Sequence, residues 1–308
     1  MKKFAKLPYF IFFLVLVLVL GYSCNQSNTS KEEETILKGT ATIFVDETLS
    51  PIIEDQVAVF ENNYEAKIKL VSKSESEVLN SLFNEKGAIA ILSRNLTTEE
   101  LKIFKSRKIS PKITPFATDA IAFIANKNMQ DSIISLKEVV SFMQGKSTSS
   151  IKGLVFDNLN SSTVRYMKSL AEIESIPKSG VFSFKTNDEV IKYVSENSDM
   201  IGVVGVNWLS QPQPAMQKYV DNVNALRVTG LVGNESYLPS QNNIAEKKYP
   251  LARDLYIINC QGYSGLGMGF ASFVGGDVGQ RIILKSGLLP IRIPARKFTI
   301  TKSQNDEK

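Results

Sequence analysis

Short apolar strands alternate with amphipathic helices along most of the chain, and this rhythm constrains the fold more than any other feature. In the first third, apolar or β-branched runs predict strands at Thr40–Val45, Lys67–Ser72 and Ala88–Leu92. Helical spacing of apolar residues predicts helices over 51–62, 75–83 and 99–106. The alternation predicts an α/β protein with a parallel or mixed sheet covered by helices.

The alternation continues through the rest of the chain. Further strands are predicted at Ala120–Ala125, Leu154–Phe156, Met200–Val206, Leu226–Leu231 and Leu255–Cys260. Further helices are predicted over 136–144, 163–170 and 187–195, and in the second half of 270–286. The glycine-rich segment Gly262–Gly269 lacks the third glycine of a dinucleotide-binding pattern, so we expect a flexible connection there. A chain of 308 residues allows one large domain or two lobes.

The first 23 residues have the pattern of a secretory signal. Three lysines precede the unbroken apolar run Tyr9–Leu20, which is too short for an ordinary membrane-spanning helix. The small residues before Cys24 resemble the end of a bacterial lipoprotein signal, in which the cysteine is acylated. We expect a signal peptide over 1–23, then a lipidated Cys24 and a flexible tether over 24–38. An uncleaved N-terminal anchor is the alternative.

Composition excludes several classes of function. Histidine is absent and there are only two cysteines, so His-ligated metals, Ser-His or Cys-His dyads and iron–sulfur clusters are ruled out. Signal cleavage would remove three lysines from a formal charge of +5, which weakens any nucleic-acid-binding interpretation. Lipidation of Cys24 leaves Cys260 without a disulfide partner, so we expect Cys260 to be a buried core residue.

Enzyme motifs are incomplete. The segment Gly145-Lys146-Ser147 lacks the first P-loop glycine, because Val140 stands at that position. Two Ser-x-x-Lys matches, beginning at Ser149 and Ser175, lack the companion motifs of penicilloyl enzymes. We therefore expect a protein that is not an enzyme and needs no cofactor.

Three hydroxyl-rich turns, over 46–51, 93–95 and 157–163, lie between predicted strands and helices. Ser and Thr hydroxyls, helix N-terminal N–H groups and Arg94 are the donors that an oxyanion requires. Each turn alone is more often an ordinary helix cap. Open α/β sheets nevertheless bind ligands outside the carboxyl ends of their strands, so three such turns indicate an oxyanion site.

An ordered set of segments resembles the substrate-binding proteins of the phosphate-specific ABC transporter, a family of type II periplasmic binding proteins. The segments are Ile43–Pro51, Thr118–Ile124, Leu136–Lys146, Asp157–Thr163, Asn187–Val194, Ile201–Gly205, Tyr249–Ile257, Phe270–Val274, Gly279-Gln280 and Gly287–Pro290. The resemblance covers about residues 39–298. It implies two α/β lobes, each a mixed sheet flanked by helices, joined by crossover strands. Lobe I would span 39–117 plus about 246–301, lobe II about 118–245, and 302–308 would be a loose tail.

The resemblance also implies ligand-binding residues in the first and third turns. Thr48 and Leu49 match the family's first-loop Thr and the residue after it, which offer a hydroxyl and a backbone N–H. Ser161, Ser162 and Thr163 match the family's Ser-Gly-Thr. These residues are predicted to bind the ligand directly.

Two charged positions depart from the family pattern. Ser93-Arg94 stands where the family has Ser-Asp, and Asp157 stands where it has Arg, so the cation and the carboxylate look exchanged. In this hypothesis Arg94 neutralises the anion with a bidentate fork, and Asp157 accepts the proton of HPO₄²⁻ and repels sulfate. Ser93 is also predicted to bind the ligand, and Ser74 is the predicted ligand of the altered second loop. Arg165 is a weaker candidate for a second cation.

The resemblance predicts a lipid-anchored protein that binds inorganic phosphate on the periplasmic side of a bacterial membrane. It would be a monomer, attached to the membrane through its lipid, and would deliver phosphate to the membrane permease of an ABC transporter. No nucleic-acid partner is expected. Two alternatives stay open: binding of another oxyanion such as sulfate or molybdate, and an anchored sensor or interaction module with the same fold. Trp208 is expected to have a packing role.

Overall fold

The computed structural model describes residues 34–146, 148 and 150–294. The predicted signal peptide, the predicted lipidation site at Cys24, most of the predicted tether and the predicted loose tail lie outside the described residues. Within the described part, no helix is both long enough and apolar enough to cross a membrane.

Strands supply the framework of the fold. In chain order they are β1 (Lys38–Asp46), β2 (Glu65–Lys73), β3 (Ile89–Leu92), β4 (Lys112–Asn126), β5 (Ile133–Ser135), β6 (Leu154–Phe156), β7 (Val181–Ser183), β8 (Ile201–Gly205), β9 (Val223–Ala225), β10 (Arg227–Thr229), β11 (Ser236–Tyr237), β12 (Ala252–Asn259) and β13 (Leu289–Pro290). β3, β6 and β8 are buried along their whole length, as expected for parallel strands covered on both faces.

Helices follow most of these strands. They are α1 (Ser50–Asn63), α2 (Glu75–Asn84), α3 (Thr98–Ser106), α4 (Leu136–Met143), α5 (Ser162–Leu170), α6 (Asn187–Glu196), α7 (Asn207–Ser210), α8 (Gln217–Val220), α9 (Gln241–Ala245), α10 (Leu266–Val274) and α11 (Asp277–Lys285). A 3₁₀ turn, Glu47–Leu49, connects β1 to α1. Capping boxes at Ser74, Thr97 and Thr186 explain where α2, α3 and α6 begin.

The main sheet has the strand order β2-β1-β3-β12-β4-β8-β6-β7, with β13 and β9 also paired to β4. β1 runs parallel to β2 and β3, whereas β12 runs antiparallel to β3 and β4. A smaller sheet has the order β11-β10-β5. This mixed sheet with its helices confirms the predicted α/β class.

The long strand β4 joins two hydrophobic cores. Up to Ala120 it pairs with β12, and from Ile121 to Ala125 it pairs with β8. Its Phe116 belongs to a first core with Phe60 and Phe270, whereas its Phe123 belongs to a second core. β4 therefore passes from the first core to the second near the position that we predict as the boundary between the lobes. The exact lobe bounds stay a prediction.

The expectation of a flexible connection over Gly262–Gly269 is wrong for its second half, because α10 begins at Leu266. A Cβ added at Gly269 would lie 1.6 Å from the carbonyl oxygen of Ile36. Glycine is needed there so that the helix can pack directly against the N-terminal backbone. The predicted strand Leu226–Leu231 is also corrected, since the structure has β9 and β10 on either side of Leu226.

Candidate functional site

Two of the predicted hydroxyl-rich turns meet in the structure. The Thr48 hydroxyl oxygen lies 3.0 Å from the Ser162 hydroxyl oxygen, and both side chains are fully buried. Thr48 lies in the 3₁₀ turn that follows β1, while Ser162 opens α5. The contact therefore joins an element packed on the first core to one packed on the second. We call Thr48, Ser162 and the neighbouring Thr163 the hydroxyl cluster.

Local structure explains how each turn is held. Asp46 caps the 3₁₀ turn, since its Oδ1 accepts a 3.1 Å hydrogen bond from the Thr48 N–H. Ser161 caps α5 by accepting from the Val164 N–H. The Thr163 hydroxyl is buried and has no hydrogen-bond partner among the described residues. Ser162 and Thr163 lie at the positive end of the dipole of α5, which favours an anion there.

Arg253 of β12 is the cation that contacts the hydroxyl cluster. Its Nη1 donates to the Ser162 hydroxyl at 3.0 Å, and its Nη2 lies 3.5 Å from the Thr48 hydroxyl. The same guanidinium forms an ion pair with Asp119, with Nη2 and Nε at 3.0 and 3.2 Å from Oδ2. Both charged side chains are buried, and the ion pair with Asp119 holds the Arg253 guanidinium in one orientation.

Sequence reasoning missed Arg253, although a signal for it exists. Arg253, Leu255 and Ile257 alternate along β12 and are all buried. Residues two apart in a strand share one face, so the strand period places this charge on the apolar face. A cation at an inward position of a predicted strand is expensive unless it is paired, and this makes it a candidate for function.

Asp157, the predicted proton acceptor, lies beside the hydroxyl cluster and is fully buried. Its Oδ1 accepts a 2.6 Å hydrogen bond from Ser161, and its Oδ2 accepts one from Asn187 at 3.1 Å. Burial raises the pKa of Asp157 to about 7, opposed by the Ser161 hydrogen bond and reinforced by the charge of Asp46.

Asp46 has a similar environment. Burial raises its pKa to about 6, the charge of Glu75 adds to the effect, and the charge of Arg253 opposes it. Its Oδ2 is buried without a hydrogen-bond partner among the described residues. Burial likewise raises the pKa of the neighbouring Glu47 to about 7, and the charges of Asp157 and Asp46 act in the same direction.

Arg94, the predicted anion fork, belongs to a second cluster of charges. Its Nε lies 3.0 Å from Oε1 of the buried Glu75, and its Nη1 and Nη2 donate to the two carboxylate oxygens of Glu100. Arg165 of α5 lies 2.6 Å from the same Glu75 oxygen. Among the described residues, the contacts of Arg94 thus go to carboxylates and to the Asn95 carbonyl, not to the hydroxyl cluster.

The remaining predicted ligand residues have mixed placements. Ser74 is buried and its hydroxyl donates to Glu77 in the capping box of α2. Ser93 is buried with no hydrogen-bond partner for its hydroxyl among the described residues. Leu49, the last residue of the 3₁₀ turn, is fully buried. The structure therefore brings Thr48, the 161–163 turn and Asp157 together, but not Ser74.

A cleft of about 660 Å³ opens onto this region. The residues that line it include Ser93, Arg94, Arg165, Tyr166, Arg253 and Tyr256. The hydroxyl cluster itself is buried, so the cleft leads toward the cluster without exposing it.

Trp208 does more than pack. Its indole Nε1 donates to the Thr48 carbonyl at 2.9 Å, and the Asn207 amide donates to the same oxygen at 3.1 Å. Trp208 also packs against an apolar cluster that includes residues of α6 and β8. Its indole thus links the first turn to the end of β8.

Among the described residues there is no group of three or more His, Cys, Asp or Glu side chains that could hold a metal ion.

The chain is similar in sequence to known proteins. A family model described as a PBP superfamily domain matches residues 29–277. The phosphate-binding protein PstS of Borreliella burgdorferi is 26% identical over 299 residues, which cover 91% of this chain and 98% of that protein.

Solved structures show the same fold. A candidate phosphate ABC transporter substrate-binding protein of Clostridium perfringens, solved with bound phosphate, matches with a TM-score of 0.68 and 19% identity over 82% of this chain and 100% of that one. An ABC-type phosphate transport receptor of Vibrio cholerae matches with a TM-score of 0.63 and 16% identity, over 82% of this chain and 100% of that one. These similarities confirm the predicted type II periplasmic-binding-protein fold.

Proposed function

The chain belongs to the PBP superfamily, and we propose that it is the extracytoplasmic phosphate-binding component of an ABC transporter. The observation that carries this proposal is the contact between Thr48 and Ser162, with Arg253 donating to the same hydroxyl cluster. Hydroxyls, a helix N-terminus and a guanidinium are the donors that a tetrahedral oxyanion requires. The similarity to PstS of Borreliella burgdorferi supports phosphate as the ligand.

In this proposal the two turns close on the anion from opposite sides. Thr48, Ser162 and Thr163 donate their hydroxyls, Leu49 and the first turn of α5 offer backbone N–H groups, and Ser161 positions Asp157. Asp157 accepts a hydrogen bond from a protonated phosphate oxygen.

We assign the neutralising charge to Arg253 instead of Arg94. Arg253 contacts the hydroxyl cluster directly, whereas Arg94 is engaged by Glu75 and Glu100. The exchange of cation and carboxylate between turns is then unnecessary, because β12 supplies the cation. In this assignment Ser74 caps α2 and Ser93 lines the cleft, and neither binds the anion.

The proposal includes the protein's setting. The chain is a monomer anchored through lipidated Cys24, held on the periplasmic side of a bacterial membrane, and it hands phosphate to a membrane permease. The named relatives are transport binding proteins and not enzymes, so we assign no catalytic step.

Calorimetric titration of the full chain in detergent tests the function. After removal of bound ligand by unfolding and refolding, we expect saturable heat with phosphate and none with sulfate or molybdate. If only sulfate or molybdate gave heat, that anion would take the place of phosphate as the proposed ligand. No heat with any of the three anions would favour the anchored sensor or interaction module.

A further inference from the structure

The cleft beside the hydroxyl cluster is larger than inorganic phosphate needs. Its volume of about 660 Å³ lies within the range of pockets that bind small organic molecules, roughly 300–1,000 Å³. A phosphate ion held by the buried hydroxyl cluster would leave most of this volume to water. The cleft therefore has room for a ligand group that inorganic phosphate does not possess.

The cleft stays open although the elements around it are already in contact. Thr48 and Ser162 join the two cores with their hydroxyl oxygens 3.0 Å apart. Arg165 of α5 lies 2.6 Å from Glu75 at the start of α2. Trp208 adds a hydrogen bond to the Thr48 carbonyl. The volume therefore lies beside turns that already touch, and it is not a gap between separated turns.

Arg253 connects the cleft to the hydroxyl cluster. Its guanidinium donates to Ser162 and lies 3.5 Å from the Thr48 hydroxyl, and the same residue lines the cleft. An anion bound by the cluster therefore touches a side chain that also borders the cleft. A phosphate monoester keeps three terminal oxygens for the cluster, and its fourth oxygen, which carries the organic group, can face the cleft.

Polar groups in the cleft indicate what the organic group carries. Arg165 contacts Glu75 through Nε, and its Nη1 and Nη2 have no hydrogen-bond partner among the described residues. Such a pair of nitrogens binds a carboxylate as a bidentate fork. Burial raises the pKa of Tyr166 and the charges of Arg253 and Arg165 oppose this, so the phenol lies near both guanidinium groups. Ser93 lines the cleft, is 3% exposed, and its hydroxyl has no partner among the described residues.

The other charged residues of the cleft do not cancel this preference. Glu172 and Asp254 also line it, but both are exposed, so water and salt screen their charges. Arg94 lines it too, but two carboxylates already hold its guanidinium. Among the described residues of the cleft wall, Arg165 is thus the cation with donors to offer a carboxylate.

We infer that the protein also binds small phosphate monoesters that carry a carboxylate, with the phosphoryl group in the hydroxyl cluster and the organic group in the cleft. This inference rests on the proposed function and extends its ligand class. The carboxylate pairs with Nη1 and Nη2 of Arg165. Ser93 offers its hydroxyl to the organic group, and Tyr166 and Leu231 contribute to the wall around it.

Competition calorimetry on the full chain in detergent tests the inference with phospholactate and isopropyl phosphate as probes. The two esters have the same branched shape, and a methyl group in the second replaces the carboxylate of the first. We expect phospholactate to bind saturably and to displace inorganic phosphate, and isopropyl phosphate to bind roughly tenfold more weakly.

The failure of the inference differs from the failure of the proposed function. Binding of inorganic phosphate without binding of either ester would overturn the inference and leave the proposed function intact. Equal affinities of the two esters would overturn the recognition of the carboxylate. No binding of phosphate or of either ester would overturn the proposed function itself.

Two variants in one loop separate the cleft from the hydroxyl cluster. Leu231 lines the cleft, whereas its neighbour Val232 is 92% exposed. Leu231→Trp places a larger side chain in the cleft, so we expect phospholactate affinity to fall roughly tenfold and phosphate affinity to stay within a few-fold of wild type. Val232→Trp is the matched control and should bind both ligands as wild type does. Unchanged phospholactate binding in Leu231→Trp, or an equal loss of both ligands, would overturn the placement of the organic group.

Arg165→Gln removes the fork. Loss of the contact with Glu75 acts on every ligand alike, so the readout is the ratio of the phospholactate and isopropyl phosphate affinities. We expect this ratio to fall from roughly ten to about one. Lys152→Gln, at an exposed lysine paired with Asp199, is the control and should keep the wild-type ratio. A wild-type ratio in Arg165→Gln would overturn the role of Arg165.

Discussion

The hydroxyl oxygens of Thr48 and Ser162 lie 3.0 Å apart, although 114 positions separate the two residues in the chain. Each hydroxyl is buried at the start of a helical turn, and Arg253 reaches both. The contact joins elements of the two cores at one point. A change that moves these two hydroxyls apart would also separate the hydrogen-bond donors that we propose for the anion.

Removal of one hydroxyl should weaken phosphate binding strongly. In Ser162→Ala we expect the dissociation constant to rise roughly 10- to 100-fold, because a hydrogen bond to a charged group contributes about 1.5–3 kcal/mol. Calorimetric titration measures the change. Ser106→Ala is the control, since that hydroxyl only donates to a carbonyl of its own exposed helix. Wild-type affinity in the Ser162 variant would contradict the site.

Arg253 and Arg94 should differ in their effects. Arg253→Lys keeps the charge and loses the fork, so we expect a folded protein with little phosphate binding. Arg253→Met leaves Asp119 buried and unpaired and should lower the free energy of unfolding by about 3–5 kcal/mol. Arg94→Ala should bind phosphate within a few-fold of wild type. The reverse outcome, with Arg94→Ala inactive and Arg253→Lys active, would restore the exchanged-charge hypothesis.

The single tryptophan should report on ligand binding. Trp208 donates to the carbonyl of Thr48, next to the hydroxyl cluster, so a change in that turn alters the indole environment. We expect a saturable change in tryptophan emission during phosphate titration and a much weaker one in Ser162→Ala. Emission that stays constant while calorimetry records binding would show that Thr48 does not move with the ligand.

Stability of the ligand-free protein should depend on pH through Asp157. Its pKa is raised from 3.8 to about 7 in the folded protein, so the folded state holds the proton more tightly than the unfolded chain. This contribution is full below about pH 4 and is lost as pH rises toward 7. Asp157→Asn should remove this pH-dependent part of the free energy of unfolding, which is on the order of a few kcal/mol.

Urea unfolding at about pH 5 and about pH 7.5 measures the difference between wild type and variant. The comparison with the variant matters because other groups act in the opposite direction. The pKa of Glu77, for example, is lowered by hydrogen bonds from Ser74. Asp131→Asn, at an exposed carboxylate, is the control and should show the wild-type pH dependence. An equal pH dependence in Asp157→Asn would exclude this carboxylate as the source.

The ion pair between Glu75 and Arg165 should slow ligand release. Glu75 begins α2 and is 3% exposed, while Arg165 lies on α5 and is 37% exposed. In Arg165→Ala we expect phosphate to dissociate several-fold faster in stopped-flow experiments, with a stability loss below about 1 kcal/mol because of solvent screening. Lys152→Ala, which breaks an exposed pair with Asp199, is the control and should change neither value. Unchanged dissociation in Arg165→Ala would contradict this role.

Local signals in the sequence predicted much of the fold and part of the site. Continuous apolar runs and helix caps depend on neighbours in the chain, so the strands near Ile43 and Leu154 and the turns at 46–51 and 157–163 could be predicted. The glycines before Phe270 misled prediction, because Gly269 packs closely on the backbone of Ile36 and only the folded chain shows that contact.

The charges of the site were decided by tertiary structure. The sequence determined that a cation and a carboxylate follow the strands, at Arg94 and Asp157, but it could not determine which partners they meet. In the folded chain Arg94 turns to Glu75 and Glu100, and Arg253, 205 positions from Thr48, enters the hydroxyl cluster. The physical reason is that a buried charge must find its partner in space, and antiparallel pairing of β12 with β4 is what brings Arg253 beside Asp119.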